Sequence, residues 1–266
     1  WTTCVNSARF TWNASTLLDE NAGALGDQYG LMSTYPDRYV MNETKFNGDT
    51  TNVEYIRYVG QNYGGRYNLY TSDLGMRIPD GKYNCQESVN ARGNLGQIAM
   101  GLVVLEHGGT MITKQFTHMS AFTQSIMAIL TSCFKRVVLC KPRTSKSDNS
   151  EEYLVCFDYR GIAEPLLETM FAALEKSAHG YDLDAINFLP PLIDESFLNS
   201  AFKRTILEAT QILVTAQCEK INANLEEYAL MVENKGIPSA SFTSRFLNRK
   251  NCLWYFELAQ FTRMRE

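Results

Sequence analysis

The chain has no apolar run of about 18 residues, the length that crosses a membrane, so we expect no membrane-spanning helix. A signal peptide is not expected either, because the first residues, WTTCVNSARF, contain no basic stretch followed by an apolar one. They also contain no initiator methionine, which suggests that the chain begins inside a longer protein. With 266 residues, of which 45% are hydrophobic, the chain can bury one sizeable core and an extension.

Cysteine and histidine are too few and too scattered to indicate a metal site. The seven cysteines form no CxxC pair, and the three histidines lie far apart in the sequence, so we expect no bound metal. An odd, unpatterned set of cysteines is typical of reduced, buried thiols in a nuclear or cytosolic protein. Of the histidines, only His118 lies near the candidate site described below, and we do not expect it to contact a substrate.

A dinucleotide-binding fingerprint and a uniformly basic surface are also missing. Gly60, Gly64 and Gly65 are spaced unlike GxGxxG and precede a predicted strand instead of following one. The net charge of -4 argues against a uniformly basic nucleic-acid binder. Lysines and arginines do crowd residues 135–146 and the C-terminus, and such runs are either solvated faces or local contacts to nucleic acid.

Residues 97–157 are the stretch around which the chain is organised. Helical periodicity at residues 95–105 predicts a helix that Gly108 and Gly109 terminate. A strand at 110–116, which carries Lys114, a helix at 122–134 and a strand at 136–141 follow. These elements form a strand-helix-strand unit, whose two strands should run parallel.

The loop at 142–150 determines the direction of the next strand. It is too short for another crossover helix, so the strand predicted at 152–157 should return antiparallel. This geometry brings Glu151 to the edge where the parallel strands end, together with Lys114 and with Asp73, which ends the run YNLYTSD. Ligands bind at that edge in open α/β sheets. From the spacing alone, an ordinary ion-pair network explains the three residues equally well.

The remaining segments are predicted from periodicity and turn residues. We expect a strand at 10–15, loops at 19–52 and 74–94, and helices at 53–61 and 164–176. A long helix should follow Pro190 and Pro191 and continue to about residue 234. The segment around Trp254 should dock back on the domain as a terminal element.

Three motifs carry a resemblance to a known family. SDLG around Asp73, MITKQF around Lys114 and KPRTSKSDNSEEYLVC around Glu151 resemble motifs of the FtsJ-like 2'-O-ribose methyltransferases. The family uses a Lys-Asp-Lys-Glu set, and the spacing here is similar to that of its last three members. The resemblance runs from about residue 10 to 161 and is greatest to eukaryotic mRNA cap methyltransferases, in particular those that modify the second transcribed nucleotide. Large DNA viruses carry similar sequences.

This resemblance implies a fold and an activity. The fold class would be α/β: a Rossmann-like methyltransferase sheet with an antiparallel last strand over residues 1–161, plus a helical C-terminal extension over 162–266. The activity would be 2'-O-methylation of capped mRNA with S-adenosyl-L-methionine as cofactor, in the nucleus and cytoplasm. Asp73, Lys114 and Glu151 would be catalytic. Lys114 would act as the base that removes the ribose proton, or alternatively as a hydrogen-bond donor to the oxyanion, and the two acids would orient it.

The resemblance also implies binding residues. Gly48, Asp49 and Asp73 would bind the cofactor. The Asp49 carboxylate of the NGDT turn would lie beside the adenine, because a carboxylate can accept a hydrogen bond from an exocyclic amine. Position at the sheet edge suggests that Lys141, Ser145 and Lys146 contact the substrate. The family's glycine-rich donor motif and first lysine precede the strand at 10–15, and no such motif occurs here, so we expect them upstream.

Two other functions remain open at this point. The chain could be a non-catalytic module that binds RNA or the cap within a larger assembly. It could also be a viral enzyme, or one that modifies the first transcribed nucleotide. The sequence indicates no oligomeric state.

Overall fold

The computed structural model describes residues 11–18, 27, 29–41, 45–76, 78, 85–142, 144–176, 189–233 and 254–258. These ranges contain six α-helices and five β-strands. The helices are α1 (Leu31–Thr34), α2 (Val53–Tyr63), α3 (Gln86–Val104), α4 (Ala121–Cys133), α5 (Glu164–Lys176) and α6 (Ser200–Glu233). The strands are β1 (Tyr67–Ser72), β2 (Leu105–Phe116), β3 (Phe134–Lys141), β4 (Glu151–Tyr159) and β5 (Trp254–Leu258).

The five strands form one mixed sheet in the order β1-β2-β4-β3-β5. β1 pairs parallel with β2, whereas β4 pairs antiparallel with both β2 and β3. Strands β2 and β3 are therefore parallel to each other, and β4 is inserted between them. The predicted α/β fold class, with its antiparallel returning strand, is confirmed.

Helices α3 and α4 supply much of the core beneath the sheet. Buried apolar side chains of α3, α4 and the central strands, including Leu95, Leu130 and Leu154, are almost fully excluded from solvent. A close approach occurs at Gly101, where an added Cβ would lie 2.7 Å from both Met111 Sδ and the Tyr70 ring. The absence of a side chain at this position lets α3 pack directly on β1 and β2.

Side-chain caps define where two of these helices begin. The side chain of Asn52 accepts a hydrogen bond from Tyr55 N at the start of α2. Ser120 accepts one from Thr123 N at the start of α4. These residue types are favoured at the N-cap because their oxygens satisfy backbone N–H groups that have no helical partner.

The prediction that Gly108 and Gly109 terminate a helix is wrong. Helix α3 ends at Val104 and β2 begins at Leu105, so both glycines lie inside the strand. The pairing of β1 with β2 is irregular there, since Tyr67 pairs with Leu105 and Leu69 with Thr110. Gly108 has a φ of 84°, a left-handed conformation that a bulge requires and that glycine adopts without strain.

The expected loop at 74–94 is wrong in its second half, because α3 begins at Gln86. Two polar residues of this stretch, Asn90 and Asn94, are buried instead of exposed. Asn90 is fully buried, accepts a hydrogen bond from Met76 N and donates one to Gln86 O. The expected loop at 19–52 likewise contains short helical turns at Leu31–Thr34 and Pro36–Arg38.

The expected strand at 10–15 is also wrong within residues 11–15. These contain a single isolated bridge, in which Ala14 pairs with Tyr39, and Phe10 lies outside the described residues. The segment is bridged at one position only, so it forms no strand of the sheet.

The C-terminal region contains the predicted helices α5 and α6, together with one strand of the sheet. β5 pairs antiparallel with β3, as in Val138 with Glu257, which confirms that the segment around Trp254 docks on the domain. The boundary placed at residue 161 stays a prediction.

No disulfide bond joins the cysteines that the structure describes. Cys133 and Cys156 are buried, Cys85 and Cys140 are half-buried, and Cys218 on α6 is exposed. Cys4 and Cys252 lie outside the described residues.

The described helices include none with the length and hydropathy needed to span a bilayer.

Candidate active site

Lys114 and Asp73 form an ion pair at the edge of the sheet, with Lys114 Nζ 2.8 Å from Asp73 Oδ1. The parallel pairing of Ser72 with Thr113 brings them together, because the next residue along each strand is then a neighbour. The Lys114 side chain is only 12% exposed, whereas that of Asp73 is 38% exposed. The amine is therefore held in a largely desolvated position by a carboxylate that solvent still reaches.

The antiparallel pairing of β2 with β4 places Glu151 on the same face as Lys114. Tyr153 lies opposite Lys114, and Glu151 lies opposite Phe116. Since side chains alternate along a strand, these four residues share one face. The three catalytic candidates predicted from the sequence thus lie along one edge, although the ion pairs among the described residues include none between Lys114 and Glu151.

Tyr153 interacts with both acids of this site, and it was not predicted from the sequence. Its hydroxyl donates to Glu151 Oε1 at 3.4 Å. Burial, together with the negative charges of Asp73 and Glu151, raises the pKa of Tyr153 well above its ordinary value. The signal for it was present in the sequence, because a residue two positions after Glu151 on a strand faces the same side.

Three further residues determine where the Lys114 side chain lies. A Cβ at Gly75 would be 3.1 Å from Lys114 Nζ, so the SDLG backbone closely covers the ammonium group. The ring of Phe116 lies 5.4 Å from the same nitrogen, within the range of a cation–π contact. Gln97 Nε2 donates to the backbone carbonyl of Lys114 at 2.8 Å and anchors this part of β2 to α3.

Gly48 and Asp49 form the turn that precedes α2. Gly48 has a φ of +83°, and a Cβ there would lie 1.9 Å from Thr16 O. Asp49 Oδ1 accepts hydrogen bonds from the backbone N and the hydroxyl of Thr51, both at 2.8 Å. Within the described part of the chain, the second carboxylate oxygen of Asp49 has no hydrogen-bond partner, and no hydrogen bond joins Asp49 to Asp73.

The three residues predicted to contact substrate occupy different environments. Lys146 is exposed and Ser145 is half-buried. Lys141, in contrast, is 5% exposed, and its ammonium group donates to Asn149 O, Asn149 Oδ1 and Glu151 O. An ammonium has three N–H donors, so Lys141 has none left for RNA, which differs from the expectation.

A second polar cluster lies on the opposite face of β4. His118 Nδ1 is 2.7 Å from Glu152 Oε1, and His118 Nε2 is 2.9 Å from Thr210 Oγ1 on α6. Burial lowers the pKa of His118, but the charge and hydrogen bond of Glu152 outweigh it and raise the pKa above its ordinary value. This cluster ties α6 to the sheet and contacts none of the three catalytic candidates.

The arrangement fits proton transfer at an open sheet edge. An amine near a carboxylate can accept or donate a proton, and a tyrosine hydroxyl beside it can hold a second carboxylate in place. Similar groups also occur in purely structural ion-pair networks, so the geometry by itself identifies an edge where chemistry is possible.

Similarity to known proteins favours a catalytic site over a purely structural ion-pair network. The profile of the FtsJ-like methyltransferase family matches residues 26–159, about half of the chain. An uncharacterized protein of Acanthamoeba polyphaga mimivirus is 32% identical over 197 residues, covering 72% of this chain and 24% of the viral protein. A probable methyltransferase of African swine fever virus is 28% identical over 239 residues, covering 85% of this chain and 54% of its own length.

A cellular relative is similar as well. The cap-specific mRNA (nucleoside-2'-O-)-methyltransferase 1A of Caenorhabditis briggsae is 26% identical over 202 residues, covering 73% of this chain and 22% of its own length. The chain thus spans about half or less of the length of these relatives. The matched region contains Asp73, Lys114 and Glu151, together with β1, which directly precedes Asp73. It ends at the last residue of β4. The chain belongs to the FtsJ-like methyltransferase family.

Proposed function

We propose that this chain is the catalytic part of an S-adenosyl-L-methionine-dependent methyltransferase that acts on the 2'-oxygen of a cap-proximal ribose in mRNA. The observation that carries the proposal is the 2.8 Å pair of Lys114 and Asp73 beside Tyr153 and Glu151 at the ligand-binding edge of the sheet. Membership of the FtsJ-like family supports methyl transfer. The name of the nematode relative supports capped mRNA as the substrate, and such a substrate would place the protein in the nucleus and cytoplasm.

Lys114 has the central role in the proposed reaction. A ribose 2'-hydroxyl is a poor nucleophile until its proton is removed or strongly hydrogen bonded. Lys114 Nζ would take that proton, which requires that the amine first lose its own. The Asp73 carboxylate determines where Nζ lies. Glu151, held by Tyr153 on the same face, would orient the ribose hydroxyl or the amine.

The NGDT turn fits an adenine ring. Asp49 keeps one carboxylate oxygen without a hydrogen-bond partner among the described residues, and a carboxylate oxygen accepts readily from an exocyclic amine. Gly48 gives the turn its left-handed shape and its contact with Thr16. When bound, the cofactor supplies an electrophilic methyl group on a sulfonium.

Ser145 and Lys146 are the proposed RNA contacts. Lys146 is exposed in the loop at 144–150, which leads into Glu151, and an exposed cation there would attract the phosphate backbone.

The nucleotide that is modified has two candidates. The motif KPxTSKxxNSExYxVC favours the second transcribed nucleotide. The number 1 in the name of the Caenorhabditis briggsae relative is consistent with the first.

A methyl-transfer assay tests the proposal. The full-length protein is incubated with labelled S-adenosyl-L-methionine and capped RNA, and the labelled nucleotide is mapped after nuclease digestion. Label on the 2'-oxygen of the second nucleotide is the expected result, and label on the first would establish the alternative. RNA binding without any transfer would instead identify a non-catalytic module.

A further inference from the structure

The ammonium group of Lys141 is bonded to the loop that directly precedes Glu151. Lys141 ends β3, the loop leaves the sheet at Pro142, and the chain returns at Glu151 to begin β4. Across this gap, Lys141 Nζ lies 2.6 Å from Glu151 O, 2.6 Å from Asn149 Oδ1 and 2.8 Å from Asn149 O. All three N–H donors of the Lys141 ammonium group are therefore bonded to Asn149 and to the backbone of Glu151.

Asn149 extends this network to the other side of Glu151. Its Oδ1 also accepts from Glu151 N at 3.3 Å and from Ser145 Oγ at 3.3 Å. The backbone N and O of Glu151 are thus both tied, directly or through Asn149, to the same ammonium group. Two more bonds fix the adjacent residue, since Ser150 Oγ donates to Gln86 Oε1 at 2.6 Å and Ser150 O accepts from Thr117 N at 3.3 Å.

Keeping a lysine in this position costs free energy. Burial lowers the pKa of Lys141, and the charges of Glu151, Glu152 and Asp148 oppose that effect. All three donors of this buried cation are bonded to protein oxygens. Such an arrangement fixes the backbone and side chain that supply those oxygens. An RNA phosphate would need at least one of its donors.

From this geometry we infer that Lys141 is a positioning residue, which fixes Glu151 at the sheet edge by holding the backbone on both sides of it, and does not contact RNA. The inference has a structural half and a catalytic half. The structural half, that Lys141 orders the loop at 144–150, depends on the hydrogen bonds alone. The catalytic half, that this order serves the part of Glu151 in methyl transfer, rests on the proposed function.

Hydrogen exchange tests the structural half without any need for activity. In Lys141→Met of the full-length protein, we expect the backbone amides of residues 144–151 to exchange at least about tenfold faster than in the wild type. The amides of β1 and α3 should keep their protection. Lys135→Met, which removes an exposed lysine at the opposite end of β3, is the matched control and should leave the loop unchanged. Unchanged exchange in Lys141→Met would overturn the inference.

Kinetics test the catalytic half. Lys141→Met should lower kcat between about tenfold and a hundredfold, with KM for capped RNA unchanged, because misplacement of a catalytic group slows the reaction without weakening binding. Adding Lys141→Met to Glu151→Gln should cause little further loss, since both changes remove the action of one carboxylate. A raised KM for RNA that persists in the Glu151→Gln background would make Lys141 an RNA contact and overturn the inference.

A milder variant keeps the test decisive if Lys141→Met does not fold. Asn149→Ala removes one acceptor of the ammonium and the tie to Glu151 N, but leaves both backbone carbonyls in place. It should speed loop exchange and lower kcat in the same direction, and the lack of either effect would count against the inference. A wild-type protein that transfers no methyl group would refute the proposed function, while the exchange experiment would still decide the role of Lys141.

Discussion

Tyr153 of β4 lies directly opposite Lys114 of β2, and its hydroxyl donates to Glu151 on the same face. This pairing brings residues from distant parts of the chain to one edge, because β4 runs antiparallel to β2. If β4 were parallel, Glu151 would begin its strand at the opposite edge. The proposed chemistry therefore depends on the direction of one strand.

Lys114→Ala should lower the rate of methyl transfer by about 100-fold or more, the usual contribution of a positioned general base. The affinity for S-adenosyl-L-methionine and the melting temperature should stay close to the wild type, because the side chain lies at the sheet edge and not in the apolar core. Lys135→Ala is the control for loss of a lysine at an exposed position. Full activity of Lys114→Ala in a labelled-donor assay would remove Lys114 from the mechanism.

The same variant distinguishes the two roles proposed for Lys114. Small primary amines added to Lys114→Ala should restore part of the activity if they fit beside Gly75 and Asp73. If Lys114 is the base, the restored rate rises with pH as more of the added amine becomes neutral. If Lys114 instead donates a hydrogen bond to the oxyanion, the restored rate falls over the same range.

Asp49→Asn should weaken the binding of S-adenosyl-L-methionine by roughly tenfold, the effect of losing one charged hydrogen bond. An asparagine oxygen can still accept the two bonds from Thr51, so the turn should keep its shape. Asp158→Asn, at the far end of β4, is the control for removing an exposed carboxylate. Calorimetric titration with the donor measures the effect, and equal affinities for the two variants would exclude Asp49 from the donor site.

Gly48→Ala should destabilise the protein by roughly 2–5 kcal/mol, because it combines left-handed backbone strain with overpacking. Its φ is +83°, and the added Cβ would lie 1.9 Å from Thr16 O. Gly65→Ala is a matched control, since Gly65 has a φ of +64° but no atom within 4 Å of the added Cβ. That variant should lose only about 1–2 kcal/mol. Equal losses in urea denaturation would mean that the contact with Thr16 does not matter.

Much of this site could be predicted from sequence because each part depends on local pattern. Loop length alone required β4 to return antiparallel, and the ends of β1 and β2 then placed Asp73 beside Lys114. The glycines at 108 and 109 were misassigned because a helix end and a bulge favour the same residue. Only the register of β1 with β2 distinguishes the two.

The start of α3 and the role of Lys141 could not be predicted from the sequence, because they depend on which polar groups contact one another in the folded protein. The start of α3 resembles a loop in sequence, since Asn90, Asn94 and Gln97 are polar but buried. Their hydrogen bonds are made to one another and to the backbone, since Gln97 Nε2 donates to Asn94 Oδ1 at 3.1 Å and to Lys114 O at 2.8 Å. The role of Lys141 was hidden for the same reason, because its acceptors belong to a loop whose shape no periodicity describes.

The buried pair of His118 and Glu152 should make stability depend on pH. Thr210 Oγ1 donates to Ile206 O and therefore accepts from His118 Nε2, while Nδ1 faces the Glu152 carboxylate. Both ring nitrogens then act as donors, which favours the imidazolium, and Glu87 adds a second negative charge nearby. The folded protein accordingly holds the proton more tightly than the unfolded chain does.

His118→Gln tests this because glutamine cannot titrate. A pKa that is raised in the folded state stabilises the protein fully below the unfolded value of about 6.5, and this stabilisation is lost as the pH rises through the folded value. The difference in unfolding free energy between wild type and variant should therefore be greatest below about pH 6.5 and decline towards alkaline pH. Urea denaturation across this range measures it, with His107→Gln as the reference for an exposed histidine. A difference that does not change with pH would mean that the pKa of His118 is the same in the folded and the unfolded protein, and would contradict the prediction.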